Sequence, residues 1–125
     1  MATVIDFTTD YQTCNEHDTF HLCPKFTKIF SILGKKWNGL IIDVLLENGP
    51  QRFKDIANYI PECSDRVLVE RLKELEREGL IQRQTFPNSS LIQYRLTERG
   101  NDLRAAIEAV HGWADKWLDI KECKD

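Results

Sequence analysis

Apolar residues recur at helical spacing through most of this chain, and they switch to alternation only in the stretch 80–97. The first helical run opens at Pro24, whose missing N–H would find no partner in a first turn anyway. Phe26, Ile29, Phe30 and Leu33 follow, and Gly34 closes the run. A second helix, about residues 36–47, carries Trp37, Leu40, Ile41, Val44 and Leu45 on one face and stops at Asn48-Gly49-Pro50. A third, residues 53–60, turns Phe53, Ile56, Ala57 and Ile60 inward. After a break at Pro61-Glu62-Cys63, Ser64 caps a fourth helix with Leu68, Leu72 and Leu75 inside, ended by Gly79. Two strands, residues 80–86 and 91–97, flank the polar tip Pro87-Asn88-Ser89-Ser90, with Ile92, Tyr94 and Leu96 alternating with Gln93 and Arg95. Thr97 caps a last helix that runs to about residue 121.

Helix, short turn, second helix and hairpin is the order of parts of a winged helix-turn-helix, which presents one helix to a DNA major groove and a hairpin to the neighbouring backbone or minor groove. The expected fold is therefore mainly α with a small β-hairpin and a helix at each end. Residues 1–20 are polar and without helical period, and are read as a flexible arm; residues 21–121 form the domain. In the last helix Leu103, Ala106, Val110, Trp113, Trp117 and Ile120 form a stripe that Ile107, Ala114 and Leu118 widen. It is broader than a small winged domain covers from one side, so part of it is expected to pack on a second subunit.

Composition adds constraints. A chain of 125 residues with 42% hydrophobic and 30% charged positions fits one globular domain. No apolar run approaches the ~20 residues of a membrane span, and the N-terminus lacks the pattern of a secretory signal. The expectation is a cytoplasmic protein without a cofactor. The net charge of -3 argues mildly against DNA binding; residues 51–99 hold nine Lys/Arg against eight Asp/Glu, so any positive footprint is local. Four cysteines, at positions 14, 23, 63 and 123, are expected as thiols in such a compartment. Phosphate loop, serine elbow and paired acid–base motifs are absent, so no enzyme is expected.

Several spaced motifs resemble one family. Cys23-Pro24, Leu33-Gly34-Lys35-Lys36-Trp37 and Gly49-Pro50-Gln51-Arg52-Phe53 come first. Leu68-Val69-Glu70-Arg71-Leu72-Lys73-Glu74-Leu75, Glu78-Gly79-Leu80-Ile81 and Tyr94-Arg95-Leu96-Thr97 before Gly100 follow. Together they resemble the HxlR-type regulators over residues 23–118. The resemblance implies a homodimeric, MarR-like transcriptional regulator on double-stranded DNA. It implies dimer contacts through the first and last helices, here Phe26, Ile29, Phe30, Leu103, Val110, Trp113 and Trp117. In some members of the family the cysteine of the Cys-Pro motif, which here is Cys23, senses a small electrophile or oxidant. The wing departs from the pattern: Asn88-Ser89-Ser90-Leu91-Ile92-Gln93-Tyr94 replaces the proline-rich tip of many members.

The candidate DNA-facing set is Arg52, Ser64, Asp65, Arg66, Val67, Glu70, Arg71, Asn88, Ser89 and Arg95, with a lesser place for Arg83. Arginine at a helix N-terminus can pair guanine O6 and N7 or hold a phosphate. The competing account is a solvated face, since Glu70, Glu74 and Glu78 alternate with Arg71, Lys73 and Arg77; its functional counterpart is a winged-helix protein-interaction module without specific DNA binding. Cys23 at a helix start has its thiolate favoured by the helix dipole, with Cys63 as a possible partner; the alternative is a small buried packing residue. Cys14, His17, His21 and Cys23 are zinc-type ligands whose spacing fits no familiar finger, and no metal site is assigned to them. His111 reads as a polar position on the last helix. Trp37, Trp113 and Trp117 read as packing residues rather than a ligand cage.

Overall fold

The computed structural model describes residues 20–123. The described residues fall into two units, divided between Lys36 and Trp37. In the first, α1 is Pro24–Leu33, with Pro24 in its first turn and Gly34 N–H bonded to the Phe30 carbonyl at 2.8 Å. One turn apart, Phe26 and Phe30 stack edge to face at 5.0 Å, and both remain exposed.

In the second unit come α2 (Asn38–Asn48), α3 (Phe53–Tyr59), α4 (Asp65–Arg77), β1 (Ile81–Thr85), β2 (Ile92–Leu96), α5 (Glu98–Asn101) and α6 (Arg104–Trp117). A 3-10 turn, Ile120–Cys123, follows. Two expectations for α2 are corrected. Trp37 is not helical: it precedes the helix in the left-handed region at φ 81°. The buried face is Asn38, Ile41, Ile42, Leu45 and Leu46, with Leu40 exposed. This helix is apolar around most of its circumference, so its sequence leaves open which stripe faces inward. Asn38 is buried at its start and donates from Nδ2 to Glu74 Oε1 of α4 at 3.4 Å.

Three leucines of α4 (Leu68, Leu72 and Leu75) are sealed in the core beside Ile41, Ile42 and Ile56. Each contributes roughly 2 kcal/mol by burial. The helix ends in a Schellman motif: Gly79, at φ 77°, bonds back to Glu76, and Leu80 N–H bonds to the Leu75 carbonyl at 3.0 Å. Buried Leu75 and Leu80 make the accompanying apolar pair.

The hairpin pairs Ile81 with Leu96, Arg83 with Tyr94 and Thr85 with Ile92. Gln51 adds a one-residue third strand, exchanging both backbone hydrogen bonds with Tyr94 at 2.9 and 2.7 Å. The single last helix expected after Thr97 is instead two. Thr97 Oγ1 accepts from Gly100 N–H at 3.0 Å and donates to the Gly79 carbonyl at 2.6 Å, capping only the one-turn α5. Gly100 lies against the Leu80 carbonyl so closely that no Cβ fits, and a turn at Asp102 and Leu103 precedes α6.

Two polar ties fasten α6 to α2. Arg104 Nη2 donates to the Leu46 carbonyl at 3.2 Å, and His111 Nε2 lies 2.9 Å from Asp43 Oδ1. None of the α6 residues is buried. Val110, Trp113 and Trp117 are 64%, 60% and 62% exposed.

Candidate nucleic-acid interface

Between α3 and α4 the turn is tight. Ile60 accepts a bond from Cys63 N–H at 3.1 Å, and both side chains are buried. The fixed turn sets the start of α4, where Ser64 Oγ accepts from Val67 N–H at 3.2 Å. This cap satisfies one of the free donors of the first turn, and Asp65 complements the positive helix end.

With Leu68, Leu72 and Leu75 inside, the outward stripe of α4 is Arg66, Val69, Glu70, Lys73 and Arg77. Ser64, Asp65, Arg66 and Glu70 of the expected set are exposed. Val67 and Arg71 are half-buried on the flanks, and Arg71 is held by further interactions. Sequence reasoning passed over Val69 and Lys73, although the leucine spacing gives their phase. Val69 is 39% exposed in the middle of a charged stripe. A methyl-bearing side chain there can meet a thymine C5-methyl group, which charged neighbours cannot do.

On the hairpin, Asn88 sits at the tip with φ 58°, and Ser89 Oγ accepts from Leu91 N–H at 3.0 Å. Arg95 lies on the strand face with Gln82 and Gln84 and donates from Nη1 to Gln84 Oε1 at 3.0 Å. Arg83, paired with Tyr94, is on the opposite face. The two arginines therefore do not act together. Arg52 lies before α3, its Nε 3.5 Å from Asp55 Oδ2. A groove of about 470 Å³ opens between Arg52-Phe53-Lys54 and the segment Ser89 to Ile92. Lys54 and Ser90 line it together with Arg52 and Ser89 of the expected set.

Cys23, at the N-cap of α1, is half-buried and disulfide-bonded, which corrects the expectation of a thiol at this position. Its possible partner Cys63 is instead a free thiol, 4% exposed, with Sγ 3.6 Å from the Ser64 carbonyl. Cys63 thus packs the turn before α4. Cys123 is a free, exposed thiol. Cys14 and His17 lie outside the described residues, and no cluster of three metal-type ligands occurs among the described ones. Of the dimer set, Phe26, Phe30, Val110, Trp113 and Trp117 are exposed, while Ile29 and Leu103 are half-buried. No helix among the described residues is long and apolar enough to cross a membrane.

The model of the HxlR-like helix-turn-helix family matches residues 32–122. The chain belongs to this family. It is 46% identical over 99 residues to the HTH-type transcriptional regulator YodB of Bacillus subtilis, covering 78% of this chain and 88% of YodB. It is 44% identical over 99 residues to the uncharacterized regulator YvaP of the same organism, covering 78% and 91%. Among solved structures, the reduced form of YodB superposes with a TM-score of 0.70 at 46% identity, covering 79% of this chain and 97% of that one. The quinone-bound form of YodB gives 0.68 at 48% identity, covering 77% and 100%. The fold of the HxlR-like members and that of this chain coincide in their mostly helical body with an antiparallel two-stranded wing.

Proposed function

We propose that this protein is a transcriptional regulator that binds operator DNA as a homodimer, with α4 of each subunit in successive major grooves. The observation that carries the reading is the two-sided character of α4. One side is locked into the core by three leucines, and the other offers Arg66, Val69, Glu70 and Lys73 beside a capped helix start. A helix that served only as scaffold would have no need of a wing at its shoulder. The test is binding of the full chain to DNA selected from a random pool, followed by anisotropy across a salt series. Arg66→Ala is expected to weaken the selected site by about 1–3 kcal/mol and to relax the preference at one base position. A stable protein partner together with no salt-dependent DNA affinity would replace this reading with the interaction module.

The uncovered apolar residues of α1 and α6 support the second subunit. Large aromatic side chains left at the surface in a row mark an interface, and each tryptophan has roughly 150–250 Å² to bury.

YodB has been crystallised in quinone-bound and diamide-treated forms. For this chain Cys23 is the matching candidate, in its reduced form. Its thiolate would add to a quinone ring carbon, the ring taking up the proton, or would join a second cysteine thiol, that of the other subunit, in a disulfide, the two hydrogens and two electrons passing to an azo compound that becomes the hydrazine. Operator affinity of wild type and Cys23→Ser after quinone treatment tests this. An equal response in both rejects it.

A further inference from the structure

The groove between the start of α3 and the wing tip combines cationic and neutral donors. Arg52 and Lys54 line one side, Ser89, Ser90, Leu91 and Ile92 the other, and no acidic residue is among the lining. The adjacent carboxylate in sequence, Asp55, is engaged by Arg52: its Oδ2 accepts from the Arg52 backbone N–H at 3.3 Å and lies 3.5 Å from Arg52 Nε. Lys54 makes no ion pair with any described residue. Ser89 Oγ is an acceptor from Leu91 N–H, so its own O–H remains available to donate.

Strand geometry supplies a further donor. Tyr94 directs both its N–H and its carbonyl to Gln51, and along a strand every second residue points its backbone groups the same way. Ile92 therefore presents its N–H to the same edge. No strand covers it there, because α3 already begins at Phe53. The groove thus gathers two cations, two hydroxyls and an edge amide around open space. That is the donor set of an anion site, and its open shape suits an anion carried on a large body.

We infer that this groove seats one DNA backbone phosphate per subunit, with Lys54 and Arg52 supplying charge and Ser89, Ser90 and the Ile92 amide supplying directed hydrogen bonds. The seat rests on the DNA-binding reading and deepens it. It lies beside the wing, where a duplex backbone runs when α4 occupies the major groove. Being clear of α4, it contributes affinity and register without reading bases.

The experiment is anisotropy of the full-length protein on a labelled random-sequence duplex over a salt series. It compares wild type with Lys54→Gln, Ser90→Ala, Lys54→Arg, Arg66→Ala and the distant control Lys121→Gln. Each phosphate contact contributes about 0.9 to the slope of log affinity against log salt. Lys54→Gln is expected to flatten the slope by that amount per subunit. Lys54→Arg should keep it, Ser90→Ala should weaken binding at low salt several-fold, and Lys121→Gln should change nothing. An unchanged slope in Lys54→Gln, with the wild type still binding in a salt-dependent manner, overturns the seat and leaves the DNA-binding reading intact. Absence of salt-dependent binding by the wild type overturns both. Inorganic phosphate bound at Lys54, seen by phosphorus NMR and lost in Lys54→Gln while the DNA slope is unaffected, assigns the groove to the free ion and also overturns the seat.

Discussion

Two residues carry opposite kinds of constraint. Gly100 is fixed by space: a methyl group there would collide with the Leu80 carbonyl and press on Leu96. Gly100→Ala is expected to cost about 1–3 kcal/mol as overpacking, seen as a lower midpoint in urea. Val69 is outside the core, 39% exposed on the outer side of α4. Val69→Ser should leave stability within about 0.5 kcal/mol, yet change the bases recovered in a binding-site selection at one position per half-site. An unchanged selection would remove Val69 from the reading stripe. The outward position of Arg66 was legible from sequence because it follows the N-cap so closely. Val69 and Lys73 were equally legible in principle, since the spacing of Leu68, Leu72 and Leu75 sets the phase of the helix. Charge drew attention to Arg71 instead, which the same phase puts on the flank.

At the scale of elements, the parts with strong local punctuation matched their sequence signals. Ser64 and Gly79 bound α4, and Pro24 and Gly34 bound α1. The parts decided by long-range packing did not. The inward face of α2 depends on what covers it, because apolar residues surround the helix. The turn at Asp102 and Leu103 that separates α5 from α6 contains no glycine or proline, so nothing local announces it. The magnitudes follow the same division. Ser64→Ala removes a cap and should cost about 1 kcal/mol, whereas Leu72→Ala empties a sealed core position and should cost about 2–5 kcal/mol. Denaturant midpoints of the two variants check the order.

The tie between α6 and α2 adds a pH dependence. His111 has its pKa raised above the ordinary 6.5, first by the hydrogen bond to Asp43 and then by the Asp43 charge, with Asp115 and Glu47 adding smaller attractions. A raised value in the folded state means that this stabilisation is fully present below about pH 6.5 and is lost as pH rises through the higher folded value. His111→Asn should therefore lower the urea midpoint relative to wild type at about pH 5.5 and have less effect at about pH 8.5. An equal effect at both would show that the charge on His111 contributes nothing.

For the whole molecule, the exposed row on α6 is the feature hardest to reconcile with a single subunit. Val110, Trp113 and Trp117 are each more than half exposed, and no residue of that helix is buried. The family supplies the helix-turn-helix architecture, and these residues are the ground on which a second copy is proposed. Trp113→Glu should give a monomer by sedimentation, with operator affinity falling far more than that of any single α4 variant, because one reading helix then binds alone. In the proposed dimer a net charge of -3 per chain is compatible with DNA binding, because the candidate cations are few, local and doubled. Hydroxyl-radical footprinting of the selected operator tests the paired arrangement most directly. Two protected blocks on one face of the duplex, about 10 base pairs apart from centre to centre, are the predicted result. A single block, or uniform protection along the fragment, would contradict it.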